Sequence, residues 1–289
     1  MKKLMSLCLS MLTVFSLVAC GSSNSKEEET TVRPDNGQTY EISTEELIIK
    51  DNGKEIYGKI YMPTQEGKYP TIIMCHGYNG CNTDFVNECR YYAQNGYVAY
   101  SFDFSGGSTR SKSKGSSTEM TIFTEKEDLI TVFNHIKTLD KVNTDRIFLF
   151  GGSQGGLVAA MAAEELADEV KALITYFPAF NIPDNWRQTY PLVDRIPSVV
   201  DFWGLKLGKV FFTSMRDYYT FNNIGKFDKD VLIIQGDKDP IVPLSTAQKA
   251  VNTYPNAELV IMNGEVHGFT PTAGRQAMMK VLEFMRNHY

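Results

Sequence analysis

Apolar and polar positions divide the chain into short apolar runs and longer stretches with apolar residues at helical spacing. The predicted strands lie at 46–50, 55–62, 70–75, 97–102, 146–150, 171–177, 231–235 and 258–262. The predicted helices lie at 82–95, 121–139, 154–167, 244–253 and 272–286. The first two strands, joined by residues 51–54 (Asp-Asn-Gly-Lys), are expected to form a hairpin. The alternation predicts an α/β fold with a mostly parallel sheet flanked by helices.

One predicted strand-to-helix junction carries the pattern Gly-x-Ser-x-Gly. Apolar residues 147–150 are followed by Gly151, Gly152 and Ser153, and an Ala-rich helical sequence begins around Gly155. A turn this sharp strains its central residue and pushes the side chain clear of the sheet. The pattern therefore predicts that Ser153 is a nucleophile. A purely structural Gly/Ser turn is the alternative.

A serine hydroxyl is a weak nucleophile at neutral pH, so it needs a base that an acid orients. Of the four histidines, His267 lies in a loop directly after the predicted strand 258–262, where a general base is expected. His76 precedes the serine, His135 lies in a helical pattern, and His288 is next to the end of the sequence. We predict that His267 is the base.

Two aspartates after the next-to-last predicted strand compete for the role of the acid. Asp239 is followed by Pro240 and apolar residues 241–242, which would fix its direction and partly desolvate it. Asp237 follows a glycine and is better suited to stabilise the turn. We predict that Asp239 holds the imidazole of His267 in the right tautomer and stabilises the imidazolium.

A His-Gly pair follows the predicted strand 70–75. The backbone N–H of Tyr78 in this loop and that of Gln154, after the nucleophile, are predicted to form an oxyanion hole. Such donors would stabilise the negative oxygen that develops during acyl transfer. We interpret His76 as a residue that packs and forms hydrogen bonds beneath the loop, rather than as a base or metal ligand.

Several motifs occur in the order and spacing of the α/β-hydrolase superfamily. They are His76-Gly77, residues 103–107 (Asp-Phe-Ser-Gly-Gly), 152–156 (Gly-Ser-Gln-Gly-Gly), 236–242 (Gly-Asp-Lys-Asp-Pro-Ile-Val) and 267–269 (His-Gly-Phe). Over residues 41–289 the chain most resembles bacterial cinnamoyl/feruloyl esterases and related serine hydrolases. The resemblance implies a Ser-Asp-His triad and an oxyanion hole at the residues identified above. It also implies a short cap insertion. The chain departs from these esterases at two places. It has Gly152 where they usually have histidine, and its residues 103–108 lack a histidine that the esterases have in the corresponding stretch.

The strand–helix rhythm breaks at residues 178–226, which contain both tryptophans, eight other aromatic residues and four prolines. We predict that this segment, the cap, covers the active site and that its aromatic side chains line an acyl or aryl pocket. For any single aromatic residue, packing of the cap onto the domain is the alternative role.

The first forty residues differ from the rest. Two lysines precede the uncharged apolar residues 4–19, a stretch too short for a typical membrane span and suited to an export signal. Its ending, Leu-Val-Ala-Cys, resembles a bacterial lipobox. We therefore predict a lipoprotein signal peptide at 1–19, lipid attachment to Cys20 and a disordered tether at 20–40. The mature protein would be anchored to the membrane at the bacterial cell surface. An ordinary cleaved signal peptide is the alternative.

Charge and cysteine content narrow the class of protein. The net charge is −5, and loss of residues 1–19, with their two lysines, would make it −7. An acidic chain without a basic run argues against nucleic-acid binding. No Cys/His cluster has zinc spacing, and we expect no metal or cofactor. Cys75 resembles a buried strand residue, whereas a disulfide between Cys81 and Cys89 could form outside the cytoplasm.

The sequence as a whole predicts one domain at 41–289 that hydrolyses small-molecule carboxylic esters, with aryl or cinnamoyl esters as candidates, through an acyl-enzyme. A peptidase of the same fold is one alternative, because ester and amide cleavage use the same groups. A non-catalytic surface lipoprotein that binds a ligand is another, although no member of the predicted triad is missing.

Overall fold

The computed structural model describes residues 31–33 and 37–289. The predicted signal peptide, Cys20 and most of the predicted tether lie outside the described residues. The strands are β1 (Ile42–Asp51), β2 (Lys54–Pro63), β3 (Tyr69–Cys75), β4 (Val98–Phe102), β5 (Val142–Gly152), β6 (Ala172–Tyr176), β7 (Val199–Phe202), β8 (Leu205–Gly208), β9 (Asp230–Gly236) and β10 (Ala257–Met262). The helices are α1 (Val86–Gln94), α2 (Ile122–Ile136), α3 (Gln154–Leu166), α4 (Ile182–Thr189), α5 (Lys209–Ser214), α6 (Thr220–Asn223), α7 (Leu244–Val251) and α8 (Pro271–Asn287).

The main sheet has eight strands in the order β1-β2-β4-β3-β5-β6-β9-β10. β1 and β2 form the predicted hairpin, with Asp51 opposite Lys54. The pairs β1–β2 and β2–β4 are antiparallel, and the other five pairs of neighbours in this sheet are parallel. The predicted α/β fold with a mostly parallel sheet is therefore confirmed.

Helices cover both faces of this sheet. α2, α3 and α7 contribute buried side chains to the core on one face, and α1 and α8 contribute to the core on the other. Along β5, Ile147 and Leu149 belong to the first core, whereas Phe148 and Phe150 belong to the second. Because successive strand side chains point to opposite faces, a strand covered on both sides needs an unbroken apolar run.

The cap residues form α4, the hairpin β7–β8, α5 and α6 between β6 and β9. The ring of Trp186 lies 4.9 Å from that of Phe202 and 4.7 Å from that of Phe212. Phe212 is buried, whereas Trp186 and Phe202 also line a cavity beside Ser153. Aromatic residues of the cap therefore both pack within the cap and line this cavity, whereas binding of an acyl or aryl group there stays a prediction.

All three cysteines in the described part of the chain are buried free thiols, so the disulfide considered between Cys81 and Cys89 is not formed. The Sγ atom of Cys89 lies 3.5 Å from Sδ of Met74. The Sγ atom of Cys81 instead lies 3.1 Å from Oγ1 of Thr83.

None of the helices within 31–33 and 37–289 is long and apolar enough to cross a membrane. In that same part of the chain, no group of His, Cys, Asp and Glu side chains could hold a metal ion.

Candidate active site

Ser153 lies at the tight turn between β5 and α3. Its φ is 53°, a left-handed conformation that is strained for a residue with a side chain. A neighbouring strand stabilises the turn, because the Ser153 N–H donates to the carbonyl oxygen of Tyr176 at the end of β6, at 2.9 Å. A Cβ atom at Gly151 would overlap the backbone of Gly155, and one at Gly155 would overlap the carbonyl oxygen of His76. Close backbone approach therefore explains the glycines on either side of the serine.

We expect Gly155→Ala to lower the free energy of unfolding by about 3 kcal/mol, because the methyl group would displace the backbone after β3. The helix preference for alanine, about 1 kcal/mol, is too small to offset this clash. Gly274→Ala in α8 is the matched control, since no atom lies within 4 Å of its added Cβ. That variant should gain about 0.5–1 kcal/mol. Urea denaturation measures both changes. Equal stabilities of the two variants would contradict this account of the turn.

The structure brings the three predicted triad side chains together. Nε2 of His267 lies 3.0 Å from Oγ of Ser153, and Nδ1 of His267 lies 2.7 Å from Oδ2 of Asp239. A carboxylate can only accept, so Nδ1 carries the proton and Nε2 accepts from the serine hydroxyl. The ring of Phe177 lies 4.6 Å from the imidazole and packs against it. This arrangement can remove a proton from the serine hydroxyl.

The Asp239 side chain is buried and surrounded by donors. Its Oδ1 accepts the backbone N–H groups of Ile241 and Val242 at 2.8 and 2.9 Å. Its Oδ2 accepts from Nε2 of Gln235 at 3.1 Å, in addition to His267. Donors on both oxygens fix the direction of the carboxylate.

Asp237, the competing acid, does not reach the histidine. Its Oδ1 accepts the N–H of Gly264 at 2.6 Å, within the loop that carries His267. Asp237 therefore ties two loops together at the edge of the sheet, while Asp239 contacts the imidazole.

The two predicted oxyanion donors belong to residues that lie near the serine. Tyr78, Gln154 and Ser153 all line one cavity. Gln154 is the first residue of α3, so its N–H has no acceptor within the helix. His76 supports the loop from below: its Nδ1 donates to the carbonyl oxygen of Gly77 at 2.7 Å, and its Nε2 accepts the N–H of Phe104 at 3.1 Å. Burial also lowers the pKa of His76, which keeps the ring neutral.

The side chains of this loop contact the cap. The Tyr78 hydroxyl donates to the carbonyl oxygen of Phe202 at 2.7 Å, and the Asn79 amide donates to that of Trp203 at 3.3 Å. The loop is thus joined to the tip of the β7–β8 hairpin, which forms part of the wall of the cavity that Ser153 also lines.

A cavity of about 520 Å³ lies between the serine and the cap. Its lining consists of Tyr78, Ser153, Gln154, Ala179, Asn181, Ile182, Asn185, Trp186, Thr189, Tyr190, Val200, Phe202, Trp203, Phe211, Pro240, Ile241 and Val242. None of these described lining residues is charged. The cavity therefore suits a group that is largely apolar and uncharged.

Sequence reasoning missed two buried polar residues that support this site. Gln235, at the end of β9, donates to Asp239, and Glu125 in α2 accepts from Nε2 of Gln154 at 2.8 Å. Burial raises the pKa of Glu125 to about 8, against the opposing effect of the Gln154 hydrogen bond. A signal existed for Glu125: it shares the apolar face of α2 with Ile122 and Leu129.

Comparisons with known proteins agree with this architecture. The profile of the prolyl oligopeptidase family (peptidase family S9) matches residues 81–289. An uncharacterized peptidase of Bacillus subtilis, YtmA, is 21% identical over 247 residues, covering 83% of this chain and 92% of that protein. An acyl transferase of Vibrio campbellii is 28% identical over 182 residues, covering 60% of this chain and 56% of that protein.

Solved structures are also similar. Est1E from Butyrivibrio proteoclasticus, in a structure with bound ferulic acid, superposes with a TM-score of 0.73 at 28% identity. The match covers 82% of this chain and 98% of Est1E. The α/β-hydrolase fold implied by the sequence motifs is thereby confirmed.

Proposed function

We propose that this chain, which belongs to the prolyl oligopeptidase family of the α/β-hydrolase superfamily, hydrolyses uncharged carboxylic esters. Ser153 is the nucleophile in this proposal. One observation carries the proposal. The Ser153–His267–Asp239 chain of hydrogen bonds, 3.0 and 2.7 Å long, ends at a cavity with an uncharged lining.

The geometry supports a two-step acyl transfer. Oγ of Ser153 attacks the ester carbonyl carbon while its proton passes to Nε2 of His267. The carbonyl oxygen becomes negative in the tetrahedral intermediate, and the N–H groups of Tyr78 and Gln154 stabilise it. The proton on Nε2 then passes to the departing alkoxide, which leaves as an alcohol. The acyl group stays on Ser153.

Water completes the cycle by the same path. Nε2 of His267 takes a proton from water as the oxygen of that water attacks the acyl carbon. The intermediate collapses, the carboxylic acid leaves, and the proton returns to the Ser153 oxygen. Asp239 stays ionised throughout and stabilises the imidazolium that forms in each half of the reaction.

The lining of the cavity supports a neutral, apolar acyl group, because burial of an unpaired charge there would be costly. Aromatic walls from Trp186, Phe202 and Phe211 favour an aryl group. The likeness to a structure that holds ferulic acid favours the same class. Aryl and cinnamoyl esters are therefore the substrates we propose to test first.

A peptidase is the second candidate, favoured by the matched family and by the Bacillus subtilis relative. Amide cleavage uses the same nucleophile and base. The cavity lining, however, offers no carboxylate to pair with a free α-amino group. This favours esters over substrates recognised through a charged N-terminus.

A substrate panel tests the proposal. The domain is assayed with p-nitrophenyl esters, methyl ferulate and aminoacyl-arylamides. We expect turnover of the esters and little turnover of the arylamides. Preference for arylamides would favour the peptidase. If no substrate is turned over and a fluorophosphonate reagent does not label Ser153, a non-catalytic binding protein would be favoured.

Narrowing the cavity should separate large from small esters. Asn185 is an exposed residue of α4 whose side chain lines the cavity, so Asn185→Trp would fill part of it. We expect the KM for methyl ferulate to rise about tenfold, with that for p-nitrophenyl acetate nearly unchanged. Gln188→Trp is the control, because it introduces the same side chain at an exposed position of α4 that does not line the cavity. Equal effects of the two variants on both esters would exclude this cavity as the acyl site.

We also propose that a lipid on Cys20 anchors the protein to the membrane. The described residues 31–33 lie at the amino end of β3. The N–H of Val32 donates to the carbonyl oxygen of Lys68, and the Tyr289 hydroxyl donates to the carbonyl oxygen of Val32. Ser153 lies at the opposite, carboxyl end of the strands. An anchored domain would thus have its tether and its cavity at opposite edges of the sheet. Mass spectrometry of the membrane fraction tests this, and a Cys20 without a diacylglyceryl group would refute it.

A further inference from the structure

A carboxyl group lies buried directly behind the nucleophile turn. Glu125 is 1% exposed, and its Oε2 accepts from the side chain of Gln154 at 2.8 Å. Its Oε1 faces Gly107, where an added Cβ would lie 3.1 Å away. The carboxyl group is thus enclosed between the first residue of α3 and the turn that follows β4.

The titratable groups around this carboxyl group are acidic. In the part of the chain that the structure describes, Glu125 forms no ion pair. The titratable groups that face it are Asp128 on α2, Cys75 at the end of β3 and Tyr78 in the next loop. All three are acids, and the nearby Lys54 is paired with Asp128 at 2.9 Å. Burial raises the pKa of Glu125 to about 8, so the group is neutral at neutral pH.

We propose that Glu125 is a positioning residue for the oxyanion hole: in its protonated form it holds Gln154, whose N–H contacts the oxyanion, without placing a negative charge behind that oxygen. The inference rests on the proposed function, since the oxyanion arises only if Ser153 attacks a carbonyl group. It assigns Glu125 a role in aligning the reaction rather than in the chemical steps.

The physical reason lies in the residue that Glu125 contacts. Gln154 supplies its backbone N–H to the proposed oxyanion hole, and its side chain is fixed by the hydrogen bond to Glu125. Oxyanion donors contribute most when they are held rigidly in a site that excludes water. A nearby negative charge in such a site would oppose the oxyanion strongly, because the local dielectric screening is weak. Ionisation of Glu125 should therefore slow the reaction even while the hydrogen bond persists.

Glu125→Gln separates the charge from the hydrogen bond, because the amide oxygen can still accept from Gln154. In the wild type, kcat for p-nitrophenyl acetate, corrected for hydroxide hydrolysis, should fall about tenfold as the pH rises through about 8. In Glu125→Gln, kcat should stay within about threefold of the wild type at neutral pH and lack this fall. Glu125→Ala should lower kcat about tenfold at neutral pH and leave KM nearly unchanged.

Glu127→Gln is the matched control, because Glu127 is an exposed acid on the same helix. That variant should retain both the kcat of the wild type and its alkaline fall. The proposal is overturned if the fall is absent from the wild type or persists in Glu125→Gln. It is also overturned if folded Glu125→Ala keeps the kcat of the wild type.

A stability measurement keeps this test separate from the proposed function. The pKa of folded Glu125 lies above the ordinary value of 4.5, so the contribution of this group to stability is fully present below pH 4.5 and is lost as the pH rises through about 8. The Tm of the wild type should therefore fall relative to that of Glu125→Gln across this range. If this Tm change occurs but no ester is hydrolysed, the proposed function fails and the protonation of Glu125 stands. If ester hydrolysis occurs without the Tm change, the inference about Glu125 fails alone.

Discussion

Ser153→Ala is expected to lower kcat for an ester by about 10⁵- to 10⁶-fold and to leave KM nearly unchanged. The hydroxyl group contributes the atom that attacks the ester carbonyl carbon in the first step, and its removal leaves only the oxyanion hole and binding. His267→Ala should lower kcat by about the same factor, because no base then removes the proton of the serine hydroxyl. Steady-state kinetics on p-nitrophenyl acetate measures both.

Ser245→Ala is the control for this prediction, since Ser245 is exposed in α7 and away from the cavity. It should behave as the wild type does. A Ser153→Ala enzyme with more than about a hundredth of the activity of the wild type would mean that another group is the nucleophile.

Asp239→Asn is expected to lower kcat by about 10⁴-fold, whereas Asp237→Asn should change it by less than about threefold. In the first variant, the amide oxygen would accept the N–H groups of Ile241 and Val242, which directs the amide NH₂ towards Nδ1 of His267. Nδ1 would then have to accept, and the proton would move to Nε2, which could no longer accept from the serine. A larger loss in Asp237→Asn would exchange the roles of the two aspartates. The kcat at saturating ester decides between them.

The apolar runs predicted most of the sheet because a strand covered on both faces must be apolar at nearly every position. β5 shows where this rule stops. Its predicted start was residue 146, but the strand begins at Val142 and passes through Asn143, Thr144 and Asp145, which are partly or fully exposed. The register with β3 shifts across this segment, since Val142 pairs with Tyr69 and the next pair is Ile147 with Thr71. Hydrophobic pattern does not report such a segment.

The positions of the proposed triad residues could also be predicted from the sequence, since each follows a strand that ends at the same edge of the sheet. The local context of Asp239, with Pro240 behind it, distinguished it from Asp237 as the residue that contacts His267. The contacts of Gln235 with Asp239 and of Glu125 with Gln154 could not be predicted in this way. Glu125 meets Gln154 only because α2 packs on α3, and nothing near Glu125 in sequence specifies that contact.

The cap illustrates a second limit. Its aromatic content predicted a pocket, but the hairpin β7–β8 was not predicted. Its strands have four residues each and join at Trp203 and Gly204, both with positive φ. A tryptophan in this conformation is uncommon, so the usual Asn-Gly turn signal was missing. Contacts of the hairpin tip with the loop of Tyr78 hold it in place.

The central claim is that one serine oxygen is activated by an imidazole from a loop far along the chain. A fluorophosphonate reagent tests it most directly, because it reacts much faster with a serine activated in this way than with an ordinary serine. Incubation of the domain with the reagent, followed by proteolysis and mass spectrometry, should place a single phosphonyl group on Ser153, and His267→Ala should abolish the labelling. Labelling of another residue, or persistent labelling of Ser153→Ala, would contradict the claim.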